Sequence, residues 1–220
     1  MKVSSESLDA EQLRRAFRAI AAAMKSKSEP LRELDAACGD GDLGITVTKG
    51  FTAIEERLDD LVGEPPSRLL QSLGITFNNA AASTFGVFFA TAFMHAGKSI
   101  DKRDQIGVGD FCAMLQCAAD GITSRGQAKV GDKTILDALA PATEAAEAAV
   151  ARGGDWPEVL AAAAEAAREG AEGTRDLFPK VGRARWLGEQ ARGTQDPGAT
   201  FVQFFLEACL DAFEAVAESE

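Results

Sequence analysis

The chain has 220 residues, 46% hydrophobic, 26% charged and 7% aromatic, with a formal net charge of −11. That is enough chain for one globular domain with a full core and no disulfides or structural metal, and the composition excludes wholesale disorder, collagen and coiled coil. An acidic surface repels phosphate backbones, so no nucleic acid is expected as a partner.

No run of 18 apolar residues occurs, so no membrane span is expected. The opening MKVSSESLDAEQLRRAF has no apolar signal core and turns amphipathic at once, which predicts a cytoplasmic protein. Cys38, Cys112, Cys117 and Cys209 form neither a CxxC pair nor a zinc spacing. In a reducing compartment they read as small buried hydrophobes.

Helical signals dominate in chain order. Leu13, Phe17, Ile20 and Met24 share one face of a helix predicted over 8–24, and Phe51, Ile54, Leu58 and Leu61 repeat the pattern over 51–61. Pro65 and Pro66 suit a first helical turn. The alanine-rich stretch 69–96 reads as one long helix crossing the middle of the domain, with Gly74 and Gly86 marking close packing. Asp110 is predicted to cap a helix over 111–122, and Asp132 one over 134–150 that Pro141 bends or splits. Residues 156–169 form an amphipathic helix, and Pro197 opens the last one. No alternating strand is legible. The expectation is a single all-α domain over 1–220 with seven or eight helices.

Three polar, glycine-bearing loops interrupt these helices. In the first, DAACGDGDLG, three carboxylates (Asp35, Asp40 and Asp42) fall within eight residues. Carboxylates that close repel one another unless a cation lies between them, and hard cations such as Mg²⁺ take oxygen ligands while keeping positions open for phosphates. A solvated acidic turn that caps the next helix is the other reading, and both stay open at this point. The spacing is not that of an EF-hand. The formal G-x-G-x-x-G at Gly39, Gly41 and Gly44 follows no strand, so it is not a dinucleotide fingerprint. The second loop, SRGQAKVGDK, carries Arg125, Lys129 and Lys133, an arrangement that suits an anion as well as an ordinary charged loop. The third, GRARWLGEQARGTQDPG, carries Arg183, Arg185 and Arg192, whose planar forks suit phosphate, and ends at a helix start with free N–H groups. The single histidine, His95, supports neither a zinc site nor a Ser–His–Asp triad.

The segments LDAACGDGDLG (34–44), SRGQAKVGDKTILDAL (124–139) and GRARWLGEQARGTQDPGAT (182–200), in that order and spacing, strongly resemble the nucleotide-binding L subunit of dihydroxyacetone kinase over nearly the whole chain. The resemblance implies a closed antiparallel barrel of eight helices with ATP or ADP at one end. Two Mg²⁺ ions would be held by Asp35, Asp40 and Asp42, which are carried over with Arg183 as the catalytic set. Leu43, Gly44, Ile45 and Thr46 match positions near the nucleotide phosphates. Gly126 and Ile135 match the pocket lining, and Asp196, Pro197 and Gly198 match a DPG turn. Phosphoryl transfer needs charge neutralisation and in-line positioning more than covalent groups, so a site without a histidine nucleophile fits.

Two departures stand out from the family pattern. Leu43 replaces a histidine, and Ala81 and Ala82 replace a Ser-Gly pair, leaving Ser83 or Thr84 to supply a hydroxyl. The resemblance implies a separate K-like subunit holding a small ketose, and either free ATP or a phosphotransferase-system protein as phosphoryl source; a homodimer is a further expectation. The alternatives are a related kinase whose acceptor is protein-borne, such as a fatty-acid carboxylate, and a non-catalytic regulatory module that binds nucleotide.

Overall fold

Asp9 starts the first helix by a reciprocal bond: Gln12 N–H donates to Asp9 Oδ1 at 2.8 Å, and Asp9 N–H donates to Gln12 Oε1 at 2.9 Å. The computed structural model describes residues 7–217, apart from the side chains of Arg183, Leu187, Gln190 and Ala217. Its helices are α1 (Ala10–Ser26), α2 (Ser28–Cys38), α3 (Leu43–Arg57), α4 (Pro66–Ala80), α5 (Thr84–Ser99), α6 (Val108–Gly126), α7 (Leu136–Ala151), α8 (Trp156–Gly173) and α9 (Pro197–Ala217). The all-α expectation is met except for one ribbon, and the described residues form nine α-helices where seven or eight were expected. Strands β1 (Ser7–Asp9) and β2 (Gln105–Gly107) pair antiparallel with Leu8 opposite Ile106. Three residues are too few for an alternating pattern to register in a sequence.

Four local expectations are corrected. The stretch 69–96 is two helices, because the chain turns at 81–83 and Ser83 Oγ accepts the Gly86 N–H at 3.0 Å to begin α5. Asp110 is not the cap of α6 but lies inside its first turn, where its carboxylate accepts the Gly107 N–H at 2.9 Å. Asp132 does not cap α7; the first turn holds Asp137, whose carboxylate accepts from Thr134 N–H at 2.6 Å and from Gly131 N–H at 2.5 Å in the preceding loop. Of the two outcomes expected at Pro141, a bend or a split, the split does not occur, since α7 runs through it. Proline frees the carbonyl four residues back, that of Asp137, and α8 packs against this carbonyl at Gly170, where no side chain would fit.

From α3 onward each helix packs on the next, α1 packs on α3, and α9 returns to α1, while α2 lies against α3 and α9. Glycines let several of these helices approach closely: a Cβ on Gly74 would strike Phe93 of α5, and one on Gly50 would strike the Phe77 ring. Phe77 and Phe89 stack at 4.1 Å between centroids, Phe89 and Phe93 at 4.2 Å. Within this interior an apolar cavity of about 160 Å³ remains, walled by Phe17, Phe93, Phe205 and Trp156 among others. His95 packs on Gly121 of α6. All four cysteines are free thiols. Among the described residues no helix is long and apolar enough to cross a membrane.

Candidate functional site

The turn between α2 and α3 gathers the three aspartates. Gly39 N–H donates to the Asp35 carbonyl at 2.5 Å and ends α2. Gly41 then takes φ +73°, a left-handed conformation that glycine adopts without steric cost. The chain thereby doubles back, and one carboxylate oxygen from each of Asp35, Asp40 and Asp42 lies within 4.8 Å of the others. Asp35 is half-buried; Asp40 and Asp42 are exposed. Asp35 Oδ2 accepts the Leu43 N–H at 3.1 Å, which ties the carboxylate to the first turn of α3. Gly44 sits on the Ser28 carbonyl, where no side chain fits, so α3 is held close to α2. This donor set is all oxygen and all anionic. It suits a hard divalent cation and does not suit zinc or copper. Cys38, directly before the turn, is buried inward, and burial pushes its thiol up.

The residues carried over with the aspartates separate into several environments. The Leu43 side chain is 5% exposed and belongs to the core, so this residue meets the cluster through its backbone N–H. Gly44 and Thr46 are buried as well, whereas Ile45 stands 53% exposed at the rim. Ala81 is buried and Ala82 exposed. The Ser83 hydroxyl is occupied as the cap of α5, and Thr84 is exposed. Gly126 ends α6 against the Phe88 ring. Ile135 touches the start of α9, since a Cβ on Gly198 would lie 3.4 Å from Ile135 Cβ. The Phe85 and Phe201 rings, 4.7 Å apart, join the first turns of α5 and α9. The starts of α5, α7 and α9 therefore come together. The helix that leads into the acidic turn, α2, lies against α9 and the segment before it. Helix N-termini carry unpaired N–H groups and partial positive charge, which favours phosphate there.

The basic loop departs from its expectation. Lys133 is not available to an anion. It is 3% exposed, and its Nζ donates to the carbonyls of Thr174, Ala191 and Thr194 at 2.7, 3.0 and 2.6 Å. Burial lowers its pKa, against the raising effect of Cys38, Asp196, Asp137 and Asp176. Asp132 is buried too; burial works to raise its pKa, but the Lys129 N–H and the Lys180 ammonium, 3.3 Å away, outweigh this and leave it lowered. Asp196 is half-buried before α9, accepts the Ala199 N–H at 2.8 Å, and is pushed up to about 7 chiefly by desolvation. The Arg183 side chain lies outside the described residues. Arg185 covers the Trp186 ring at 5.0 Å, and Arg192 the Phe178 ring at 5.6 Å. Sequence reasoning missed the tie made by Lys133 and the loop bonds accepted by Asp137. The latter had a signal, an aspartate three residues beyond Thr134; the tie had none, because its acceptors are backbone carbonyls 41 to 61 residues away.

The chain is similar to known proteins over most of its length. The DAK2 domain family matches residues 37–211. The ADP-binding subunit DhaL of the PEP-dependent dihydroxyacetone kinase of Escherichia coli is 32% identical over 182 residues, covering 83% of this chain and 87% of that subunit. The D-erythrulose kinase of Mycolicibacterium smegmatis is 34% identical over 94% of this chain, which spans only 36% of that longer enzyme. The dihydroxyacetone kinase of C. freundii, solved with AMP-PNP and Mg²⁺, shares the fold with a TM-score of 0.70 and 24% identity, over 93% of this chain and 34% of its own. With the family pattern running from the acidic turn almost to the C-terminus, the chain belongs to the DAK2 domain family.

Proposed function

We propose that this chain is the nucleotide-binding component of a dihydroxyacetone-type kinase. It passes a phosphoryl group from Mg²⁺-bound ATP, or from bound ADP recharged by a phosphotransferase-system protein, to a hydroxyl of a small ketose held on a separate K-like chain. The observation that carries this reading is the convergence of Asp35, Asp40 and Asp42 within 4.8 Å in the turn that opens α3. The names of the relatives support it: an ADP-binding kinase subunit and a ketose kinase.

The three carboxylates would hold Mg²⁺, two ions in our reading, which supplies the charge that neutralises the phosphate oxygens during transfer. Asp35 orients the turn through its bond from Leu43 N–H, while exposed Asp40 and Asp42 face the solvent from which the metal-nucleotide arrives. The first turns of α5, α7 and α9 offer N–H groups to the phosphates. Gly126, Ile135 and Gly198 line the pocket, and Arg183 stands on the segment that faces the transferring group. The packing order that returns from α9 to α1 supports a closed eight-helix barrel with the nucleotide at one end.

The rim also fits an acceptor-holding partner. Ile45, Val130, Phe178 and Trp186 are large exposed hydrophobics, carried on the first turn of α3, the loop before α7 and the segment between α8 and α9. Aromatic residues with arginines beside them favour a protein contact. Four free thiols agree with a cytoplasmic location. Self-association to a homodimer is the remaining expectation, and sedimentation tests it.

Calorimetric titration of the nucleotide-free chain with ADP and ATP, with and without Mg²⁺, tests the reading. We expect binding that requires the metal and is lost in Asp40→Ala while the helical spectrum is kept. Metal-independent binding, or none in either condition, would overturn it.

A further inference from the structure

Lys133 has two properties that rarely meet in one residue. Its backbone takes φ +61°, a left-handed conformation unfavourable for a residue with a long side chain. Its ammonium is buried, and three backbone carbonyls meet it, one for each proton. A glycine would suit that backbone better, so the side chain is what the position requires. An ammonium withdrawn from water is costly unless fully bonded, so the three carbonyls must stay in place for it to remain there.

Those carbonyls belong to Thr174, Ala191 and Thr194, at the two ends of the segment that leads from α8 to α9. Other bonds run parallel. Gly193 N–H donates to the Arg175 carbonyl at 2.9 Å, and Asp196 N–H to Thr174 Oγ1 at 2.8 Å. Lys180 N–H donates to the Asp132 carbonyl at 3.1 Å, and Lys180 Nζ to the Gly131 carbonyl at 2.8 Å. Lys133 is the member of this set that ties both ends of the segment to the loop at 127–135.

We propose that Lys133 is a positioning residue whose ammonium clasps residues 174–196 onto the loop at 127–135, and so sets where Asp196, Pro197 and Gly198 stand beside the acidic cluster. It acts through the main chain of the segment and does not touch the nucleotide. The step from clasp to site rests on the function proposed above; the clasp itself does not.

Hydrogen exchange of the full-length chain and calorimetric titration with Mg²⁺–ADP test the proposal on Lys133→Met, which keeps the length of the side chain without charge or donors. We expect the Gly193 and Asp196 amides to exchange at least tenfold faster while amides of α4 and α5 keep their protection, and Mg²⁺–ADP affinity to fall at least tenfold. Lys133→Arg keeps charge and donors in a planar fork that cannot meet three convergent carbonyls, and it should recover part of both losses. Unchanged exchange in 174–196, loss of protection spread evenly over all helices, or local loosening with unchanged affinity would each overturn the proposal. If Lys133→Met does not fold, Lys133→Arg decides: faster exchange confined to 174–196 supports the clasp, and exchange equal to the wild type overturns it. A wild-type chain that binds no Mg²⁺–ADP would instead sink the proposed function, and the exchange comparison would still decide the clasp.

Discussion

Gly39 stands against the carboxylate of Asp35: a Cβ added to Gly39 would lie 2.5 Å from Asp35 Oδ1. Real Cβ atoms do not approach that closely, so a side chain at 39 must displace the Asp35 carboxylate from its place in the cluster. Gly39→Ala should therefore leave helicity intact and weaken Mg²⁺-dependent nucleotide binding at least tenfold, about 1.4 kcal/mol. Titration with Mg²⁺–ADP at constant ionic strength checks this; unaltered affinity would mean that Asp35 is not a ligand.

The carboxylates should separate by their effect on stability. Asp35 accepts the Leu43 N–H, whereas Asp42 precedes α3 without a side-chain bond to it. Asp35→Ala should lose metal-dependent binding and about 1 kcal/mol of stability, the usual worth of a helix-start acceptor. Asp42→Ala should lose the binding with almost no change in the urea midpoint. Equal midpoints for the two variants would remove the bond from Leu43 as a structural tie.

Leu43 shows what the sequence could and could not reveal. The order of the acidic, basic and arginine-bearing blocks pointed to the family, while the acidic spacing alone left a metal-binding turn and a solvated acidic turn both open. Whether a side chain at 43 faces the phosphates or the core depends on the rotation of α3, and Gly44 sets that by its fit against Ser28. The same limit hid Lys133, whose charge reads as an anion site until its three backbone acceptors are seen. Helices were legible where apolar spacing was regular. They were misread at 69–96, where alanine and phenylalanine run on through a turn that only the cap at Ser83 marks.

Because Leu43 is buried, Leu43→His would place an imidazole in the core. Stability should fall by about 2 kcal/mol, the order expected for losing a buried leucine, and Mg²⁺–ADP affinity should not rise. Chemical denaturation and titration of the same sample test both statements; tighter nucleotide binding at unchanged stability would show that position 43 faces the nucleotide.

Trp186 is 80% exposed beside Arg185 and has no structural burial to lose. If the rim receives an acceptor-holding chain, Trp186→Ala should leave Mg²⁺–ADP affinity and thermal midpoint unchanged. It should raise the K-like subunit concentration needed for half-maximal ketose phosphorylation by about tenfold, as expected for an aromatic anchor. A fall in nucleotide affinity would place Trp186 in the nucleotide pocket instead.

Asp196 gives the fold a distinctive dependence on pH. Its carboxyl is raised from 3.8 to about 7, mainly because it is desolvated. The folded state then holds a proton that the unfolded chain has released, so this contribution is complete below about pH 4 and is lost as pH rises through 7. Glu11, Glu29 and Glu165 are shifted down by arginine partners, and Asp132 is lowered as well. Their contributions have the opposite sign and are already complete by pH 5. Between pH 5 and 7 the slope should therefore come from Asp196: stability of the metal-free chain should fall with rising pH, by at most about 1.4 kcal/mol per pH unit. Asp196→Asn keeps an oxygen for the Ala199 N–H but cannot titrate, so its urea midpoint should be flat over the same range. A wild-type midpoint that is flat, or that rises from pH 5 to 7, would show that Asp196 is ionised in the folded chain and that the Lys133 ammonium nearby outweighs its burial.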